Sequence, residues 1–292
     1  MDLIKFAVIG GIVSMLGYGV SDFFAKKTVD RIGSFLTIFY VQLIGIAFLA
    51  LYFLYDKSLP VFSLNNLLGI SIFGVLEASV YFALYRAFEL GKISIVSPIS
   101  SSYAIVAAIV SFIFFGEQVT TIKIVSIAVI VLGIILTAYS KTFFSDLKKS
   151  NWANGVPEAF FVLLVNGAYL PFWNEFISNS GWAVWLFLRR VVMTMVLFAY
   201  IVFVKKKKLS FRGKGIWKLL LVITAFEAVG SFGGTWGFHF SVNETSIVAA
   251  LGSTYPMITI ILARLFLGEK LEIYKYFGIA MILLGLFSLS IY

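Results

Sequence analysis

Ten strongly apolar runs follow one another along the chain, and each is about as long as a helix that crosses a lipid bilayer. A helix rises about 1.5 Å per residue, so about 20 apolar residues span the hydrocarbon core of about 30 Å. The runs cover residues 4–25, 33–55, 66–89, 94–115, 121–140, 154–178, 182–204, 215–240, 245–267 and 272–291. We therefore predict an all-α integral protein of the cell membrane, with ten transmembrane helices in contact with the lipid bilayer.

The composition leaves too few polar residues to cover a soluble protein. Hydrophobic residues make up 61% of the 292 residues and charged residues 13%, whereas soluble domains carry about 25% charged residues. The absence of cysteine and the single histidine, His239, argue against disulfides, a metal site or another bound cofactor. The net charge of +9 is concentrated in short loops, most densely at Lys205–Lys208, which is typical of an anionic membrane surface and not of nucleic-acid binding.

The two halves of the chain resemble each other in sequence. After a shift of 152 positions, 15 of the 40 residues over 94–133 are identical, including Gly116-Glu117 with Gly268-Glu269. We predict a first repeat over 1–140, a linker over 141–153 and a second repeat over 154–292. Because each repeat has five spans, an odd number, the two enter the membrane from opposite sides, as in many secondary transporters. Duplication retained only for packing is the alternative.

This organisation resembles the drug/metabolite transporter superfamily, EamA type. The closer match lies in the second half, and Ala104 and Gln118 depart from the pattern in the first half. The matching residues are Tyr255-Pro256, Leu267-Gly268-Glu269-Lys270-Leu271, Gly278 and Gly285. The resemblance implies a central cavity shared by both halves and transport of small metabolites, often amino acids or drugs. It also implies cytoplasmic termini, whereas the excess of basic residues after odd-numbered runs predicts termini outside, so the orientation stays open.

Two glutamates lie deep inside the predicted spans, where a charged side chain costs about 2.5–3.5 kcal/mol. Glu77 is near the middle of span three and Glu227 is near the middle of span eight. The two positions correspond across the repeat after a two-residue shift, so we expect both carboxyl groups to face one cavity. There they could exchange a proton near neutral pH or bind a cationic substrate. The alternative is a glutamate bonded to a neighbouring helix.

The other candidate substrate-binding residues are aromatic, hydroxyl or amide side chains in the spans. They are Tyr81, Ser101, Tyr103, Asn166, Trp236, Ser253 and Tyr255. Packing between helices is the competing interpretation of the hydroxyl residues and of the glycine-rich face of span eight. Pro98 and Pro256 are expected to bend spans four and nine around the cavity. Tyr18 and Asp22 are further polar residues, near the end of span one.

Two features are expected to be structural. Arg189 and Arg190 lie about eight residues inside span seven, so we expect this span to start later; lining a water-filled vestibule is the alternative. Glu117 and Glu269 lie where a loop meets a helix, where a carboxylate favours the positive end of the helix dipole.

These observations favour a secondary active transporter, importer or exporter, of small organic metabolites such as amino acids or amines, working by alternating access. Proton coupling is an additional hypothesis, and the oligomeric state stays open. A channel or a membrane-embedded binding or sensor protein is the alternative. An intramembrane lipid-modifying enzyme is disfavoured because the sequence has no H-E-x-x-H motif and no paired-aspartate motif. The chain also lacks the phosphate-binding loop of nucleotide-driven pumps.

Overall fold

The computed structural model describes residues 3–51, 62–91, 93–118, 120–138, 155–178, 181–206, 208–209, 213, 215–241, 244–267 and 272–290. These residues form helices α1 (Leu3–Ile32), α2 (Ser34–Ala50), α3 (Leu64–Leu90), α4 (Ile93–Ser101), α5 (Tyr103–Phe115), α6 (Thr121–Ala138), α7 (Val156–Ser178), α8 (Trp182–Ala199), α9 (Ile216–Phe240), α10 (Thr245–Gly252), α11 (Tyr255–Leu267) and α12 (Ile273–Ser290). A short π-helix, Tyr200–Val204, continues α8. The predicted linker, 141–153, lies outside the described residues.

The described helices match the ten predicted spans, with α4–α5 and α10–α11 each forming one span. Seven spans are long and apolar enough to cross a membrane, and α2, α6 and α12 contain shorter apolar segments. Their outer faces carry exposed large side chains such as Ile113, Phe114 and Leu284. Apolar surface of this extent suits lipid and not water. The chain is therefore a multi-pass integral membrane protein, and the prediction of an all-α membrane fold is confirmed.

Helix α1 continues beyond its predicted end at residue 25. The polar segment expected to break it instead forms two further helical turns to Ile32. The Lys26 amino group lies 2.9 Å from the Asp30 carboxylate, one turn along the helix. Gly33 then turns the chain with a φ of 81°, a conformation that favours glycine. The polar residues end the apolar run without ending the helix, because lysine and arginine form helices readily.

Spans four and nine are interrupted at corresponding positions. Helices α4 and α10 begin 152 residues apart, and so do α5 and α11, and α6 and α12. The first break, at Ser102, follows Pro98, whose carbonyl oxygen accepts from the Ser102 amide at 3.2 Å. The second break, at Ser253 and Thr254, precedes Pro256 in the first turn of α11. Each proline was expected to bend its span, and each lies within four residues of the break; proline has no amide hydrogen to donate within a helix.

The two repeats run in opposite directions through the bundle. Helix α1 begins beside the end of α9, where the Phe6 and Phe240 rings stack 5.4 Å apart. Glu117 and the start of α10 lie at this same end, which we call the Glu117 end. Helix α7 begins at the opposite end, where Gly155 packs against Ala87 at the close of α3. We call this the Glu89 end. The first repeat thus starts at one end and the second at the other, which confirms an inverted repeat.

Glycines allow the central helices α1 and α9 to approach closely. A Cβ atom on Gly10 would stand 2.8 Å from the Gly233 carbonyl oxygen, and one on Gly17 would overlap Gly230. Helices α6 and α12 cross in the same way at Gly133. Close backbone approach increases van der Waals packing, which drives helix association where lipid surrounds the helices. The glycine-rich face of span eight therefore serves mainly in helix packing.

Candidate substrate cavity

A cavity of about 100 Å³ lies between the two repeats in the middle of the bundle. Helices α1, α3, α4 and α5 of the first repeat and α7 to α11 of the second contribute to its wall. Binding sites for drug-sized ligands enclose about 300–1,000 Å³, so in this conformation the cavity admits only a small solute. Six tyrosines supply much of its surface: Tyr18, Tyr81, Tyr85, Tyr103, Tyr169 and Tyr255.

A buried ion pair joins the repeats at one side of the cavity. The Arg189 Nε of α8 lies 2.8 Å from the Glu77 Oε2 of α3. The guanidinium carbon is also 4.1 Å from the centre of the Trp173 ring, where the aromatic face attracts a cation. Both charged side chains are at least nine-tenths buried. The pair neutralises each charge and holds α3 against α7 and α8.

A second buried ion pair lies beside the first. The Arg190 Nη2 is 2.9 Å from the Glu227 Oε1, and Gln42 donates to the same oxygen at 3.1 Å. Arg190 also donates to the Ser231 hydroxyl at 3.2 Å, and that hydroxyl is 3.0 Å from the Tyr18 hydroxyl. These contacts form a continuous polar network from α1 and α2 to α8 and α9. Such a network stabilises a bundle only while every charge keeps its partner.

Glycine makes room for this second arginine. A Cβ atom at Gly45 of α2 would overlap the Arg190 Nη1. The absence of a side chain there lets the guanidinium lie between α2 and α9. The expectation that span seven starts after the two arginines is therefore wrong. Helix α8 starts at Trp182, and the arginines are tolerated in mid-span because each has a buried carboxylate partner.

Six of the nine residues predicted to bind substrate line this cavity. They are Glu77, Tyr81, Tyr103, Asn166, Glu227 and Tyr255. The structure thus brings the two glutamates together at one site, as the repeat suggested. Whether these residues contact a substrate stays a prediction.

The other three predicted residues lie outside the lining, which corrects the expected set. The Ser101 hydroxyl donates to the Pro98 carbonyl oxygen at 3.1 Å, and the Ser253 hydroxyl donates to the Ala250 carbonyl oxygen at 2.7 Å. Both hydroxyls are therefore occupied within their own helices at the breaks. Trp236 packs instead against Phe6 and Phe240, with ring centres 5.1 and 5.5 Å away.

The sequence profile of the EamA-like transporter family matches this chain twice, over residues 5–139 and 154–291. The chain belongs to the EamA-like transporter family. The resemblance seen in the sequence is thereby confirmed, and each match covers one half, with five spans, of this membrane transporter.

Two further similarities agree with this EamA-like assignment. An uncharacterized protein of Methanocaldococcus jannaschii is 32% identical over 134 residues, which make up 46% of this chain and 97% of that protein. That relative therefore aligns over a length close to one repeat of this EamA-like chain. A crystal structure that shares 13% sequence identity superposes with a TM-score of 0.75 over 98% of both chains. At this identity the superposition supports the fold alone.

The nine predicted residues leave out part of the cavity lining of this EamA-like transporter. The residues left out include Ser14, Ser21, Tyr85, Ser100, Tyr169, Trp173, Arg189, Ser231 and Thr235. For Arg189, the alternative interpretation, a position on the wall of a cavity, fits the structure, and the cost of a mid-span charge that drew attention to Glu77 applies to it equally. Two arginines and two glutamates inside apolar runs would have suggested pairing. Among the described residues, no group of three or more acidic or histidine side chains is placed to hold a metal ion.

Proposed function

We propose that this EamA-like transporter carries small organic solutes, amino acids or amines, across the membrane by alternating access. The observation that supports this most is the position of the cavity. It lies between two inverted repeats, and both repeats contribute charged and hydroxyl groups to its wall. When such halves exchange conformations, a site between them opens first to one side of the membrane and then to the other. The direction of transport is left open.

A polar cluster at the Glu117 end supports the same mechanism. The Glu117 carboxylate of the first repeat accepts from the Ser246 amide of the second, at 3.2 Å to Oε2, and from the Ser246 hydroxyl. The Lys123 amino group lies 3.2 Å from Glu117 and 2.5 Å from Glu244. We call Glu117, Lys123, Glu244 and Ser246 the Glu117 cluster. It joins the two repeats at this end of the bundle.

The internal repeat supplies counterparts for most of the Glu117 cluster. Glu269, Lys275 and Ser94 correspond in sequence to Glu117, Lys123 and Ser246. Because the repeats are inverted, α12, which carries Lys275, begins at the Glu89 end of the bundle. We infer that the Glu117 cluster forms when the Glu117 end closes and separates when that end opens. The Glu117 residue thus acts beyond the helix-terminal role expected from the sequence.

Transport is tested in two steps with purified protein. Thermal stability is first recorded against amino acids, amines, nucleosides and sugar phosphates, because a ligand of the folded state raises the melting temperature. Compounds that stabilise the protein are then tested for counterflow in proteoliposomes, with unlabelled compound inside and labelled compound outside. A transporter gives saturable uptake with a transient overshoot. Flux that does not saturate and shows no overshoot would indicate a channel, and binding without flux would indicate a binding or sensor protein.

Proton coupling is an additional proposal. The measurement compares two activities of the reconstituted protein. One is counterflow at equal pH, and the other is net uptake under an imposed pH gradient of either sign. A coupled transporter accumulates its substrate when the gradient is imposed, whereas exchange at equal pH continues without it. Uptake that is independent of the gradient would contradict proton coupling and leave the transport function in place.

A further inference from the structure

Asp22 is the carboxylate of the cavity that has no basic partner. It projects from α1 into the cavity wall and is 6% exposed. Within the described ranges, no lysine or arginine lies within ion-pair distance of it. The two cavity glutamates differ, because Glu77 is held by Arg189 and Glu227 by Arg190. With both arginines neutralised by glutamates, the ionised site carries one uncompensated negative charge.

An ionised carboxylate buried without a partner is costly, and an ionisable side chain inside a membrane span is therefore a candidate functional site. The ion pairs beside it show how this bundle treats charges that serve structure, since each of those has a partner within 3 Å. Asp22 shows the opposite arrangement. It lines the cavity between the repeats without a basic partner among the described residues.

The surroundings of Asp22 suit an organic cation. Tyr85 of α3 and Tyr255 of α11 line the same cavity as Asp22. Aromatic faces attract ammonium groups, and the phenol oxygen accepts hydrogen bonds from them. The cavity therefore combines a carboxyl group, hydrogen-bond acceptors and aromatic faces in one place.

We propose that Asp22 binds the protonated amino group of the transported solute, with Tyr85 and Tyr255 beside it. This inference rests on the transport function proposed above and assigns to Asp22 the ammonium group that amino acids and amines share. The small volume of the cavity favours short amines and small amino acids. For an amino acid, the carboxylate would lie toward the Arg189 side, where Glu77 and Trp173 already hold the guanidinium.

The test uses matched probes that differ in charge and little in shape. Ethanolamine and n-butylamine carry an ammonium group at pH 7, and ethylene glycol and n-butanol are their uncharged matches. Binding to the purified full-length protein is measured by calorimetry and by the shift in melting temperature. The wild-type protein is expected to bind the amines and to discriminate against the alcohols.

The Asp22→Asn variant keeps the size of the side chain and removes its charge. A hydrogen bond to a charged group contributes enough that we expect amine binding to weaken about ten- to a hundredfold. Asp30→Asn is the matched control, because Asp30 lies two turns further along α1 with an exposed side chain that pairs with Lys26. The control is expected to bind amines like the wild type. An unchanged melting temperature of the unliganded Asp22→Asn variant shows that the fold is intact.

The outcomes separate this inference from the proposed function. If Asp22→Asn binds amines as the wild type does, the ammonium site is overturned, whatever the transport result. If that variant keeps amine binding but loses its response to a pH gradient, Asp22 carries a proton, and the ammonium site is again overturned. If Asp22→Asn abolishes amine binding but the wild type shows no counterflow of the amine, the site stands and the transport function is overturned.

Discussion

The Arg190–Glu227 pair allows a quantitative prediction of stability. Glu227→Gln removes the carboxylate that faces Arg190, whose side chain is 4% exposed. Removing one partner of a buried ion pair costs about 3–5 kcal/mol, because the other charge stays buried without compensation. Glutamine keeps a carbonyl oxygen that can accept from Arg190 and Gln42, so we expect the lower limit, about 3 kcal/mol. For a chain of this size that corresponds to a fall in melting temperature of roughly 6–12 °C.

The assay compares reversible unfolding in mixed detergent micelles and thermal unfolding of four proteins. They are the wild type, Glu227→Gln, the double variant Arg190→Met/Glu227→Gln, and Arg86→Met. The double variant removes the isolated charge, so we expect it to recover most of the lost free energy of unfolding. Arg86 forms a comparable pair with Glu89, but their side chains are 38% and 30% exposed, so Arg86→Met should cost less than about 1 kcal/mol.

Two results would refute this reasoning. A Glu227→Gln protein as stable as the Arg86→Met control would mean that Arg190 does not depend on Glu227. A double variant less stable than Glu227→Gln would mean that Arg190 stabilises the bundle through contacts other than this pair.

Three further predictions follow from the packing and the cavity. Gly17→Ala should lower the free energy of unfolding by about 1–3 kcal/mol, because the added methyl group meets the α9 backbone at Gly230, whereas lipid-facing Leu16→Ala should change it little in the same unfolding assay. Trp173→Leu should lower the free energy of unfolding by about 2–4 kcal/mol, because it removes the Arg189 contact and leaves space at a fully buried position. A double-mutant cycle with Arg189→Met measures the coupling between the two side chains. Tyr255→Ala should reduce the rise in melting temperature that a ligand causes, because Tyr255 lines the cavity. Trp236→Ala should leave that rise unchanged, because Trp236 lies outside the cavity lining.

Span number and inversion could be predicted because they depend on properties that the sequence carries locally. The thickness of the bilayer sets the length of each apolar run. The 15 identical residues over 94–133 show how the first half of the chain aligns with the second. The limits of α1 could not be predicted in the same way. The Lys26–Asp30 turn is too polar for the hydrocarbon core, yet it continues the helix beyond the core. Hydropathy locates the apolar part of a helix and not its end.

The site could be predicted in part, because the free-energy cost of burying a charge marks single residues that can be recognised in the sequence. Glu77 and Glu227 stand out in the sequence as charges inside apolar runs, but their partners depend on which helices are neighbours. Neighbouring residues also face different directions on a helix. Ser100 lines the cavity, whereas Ser101 bonds to its own helix, about 100° further round the axis. Which of the two faces inward depends on the rotation of α4 about its axis, which hydropathy alone does not give.

Alternating access is the central claim, and the most direct test measures both ends of the bundle at once. The chain has no native cysteine, so spin labels can be placed at chosen pairs of introduced cysteines. Gln118 and Ser178 report the distance between the repeats at the Glu117 end, and Asp30 and Glu272 report it at the Glu89 end. Distances are recorded by pulsed electron paramagnetic resonance in lipid nanodiscs, with and without Glu117→Gln, which weakens the Glu117 cluster.

The account predicts opposite changes at the two ends. In the Glu117→Gln variant, the Gln118–Ser178 distances should shift to longer values, and the Asp30–Glu272 distances should shift to shorter values in the same molecules. A population that changes at both ends together is the signature of two halves exchanging conformations. Lengthening at the Glu117 end alone, or no change at either end, would contradict alternating access controlled by the Glu117 cluster.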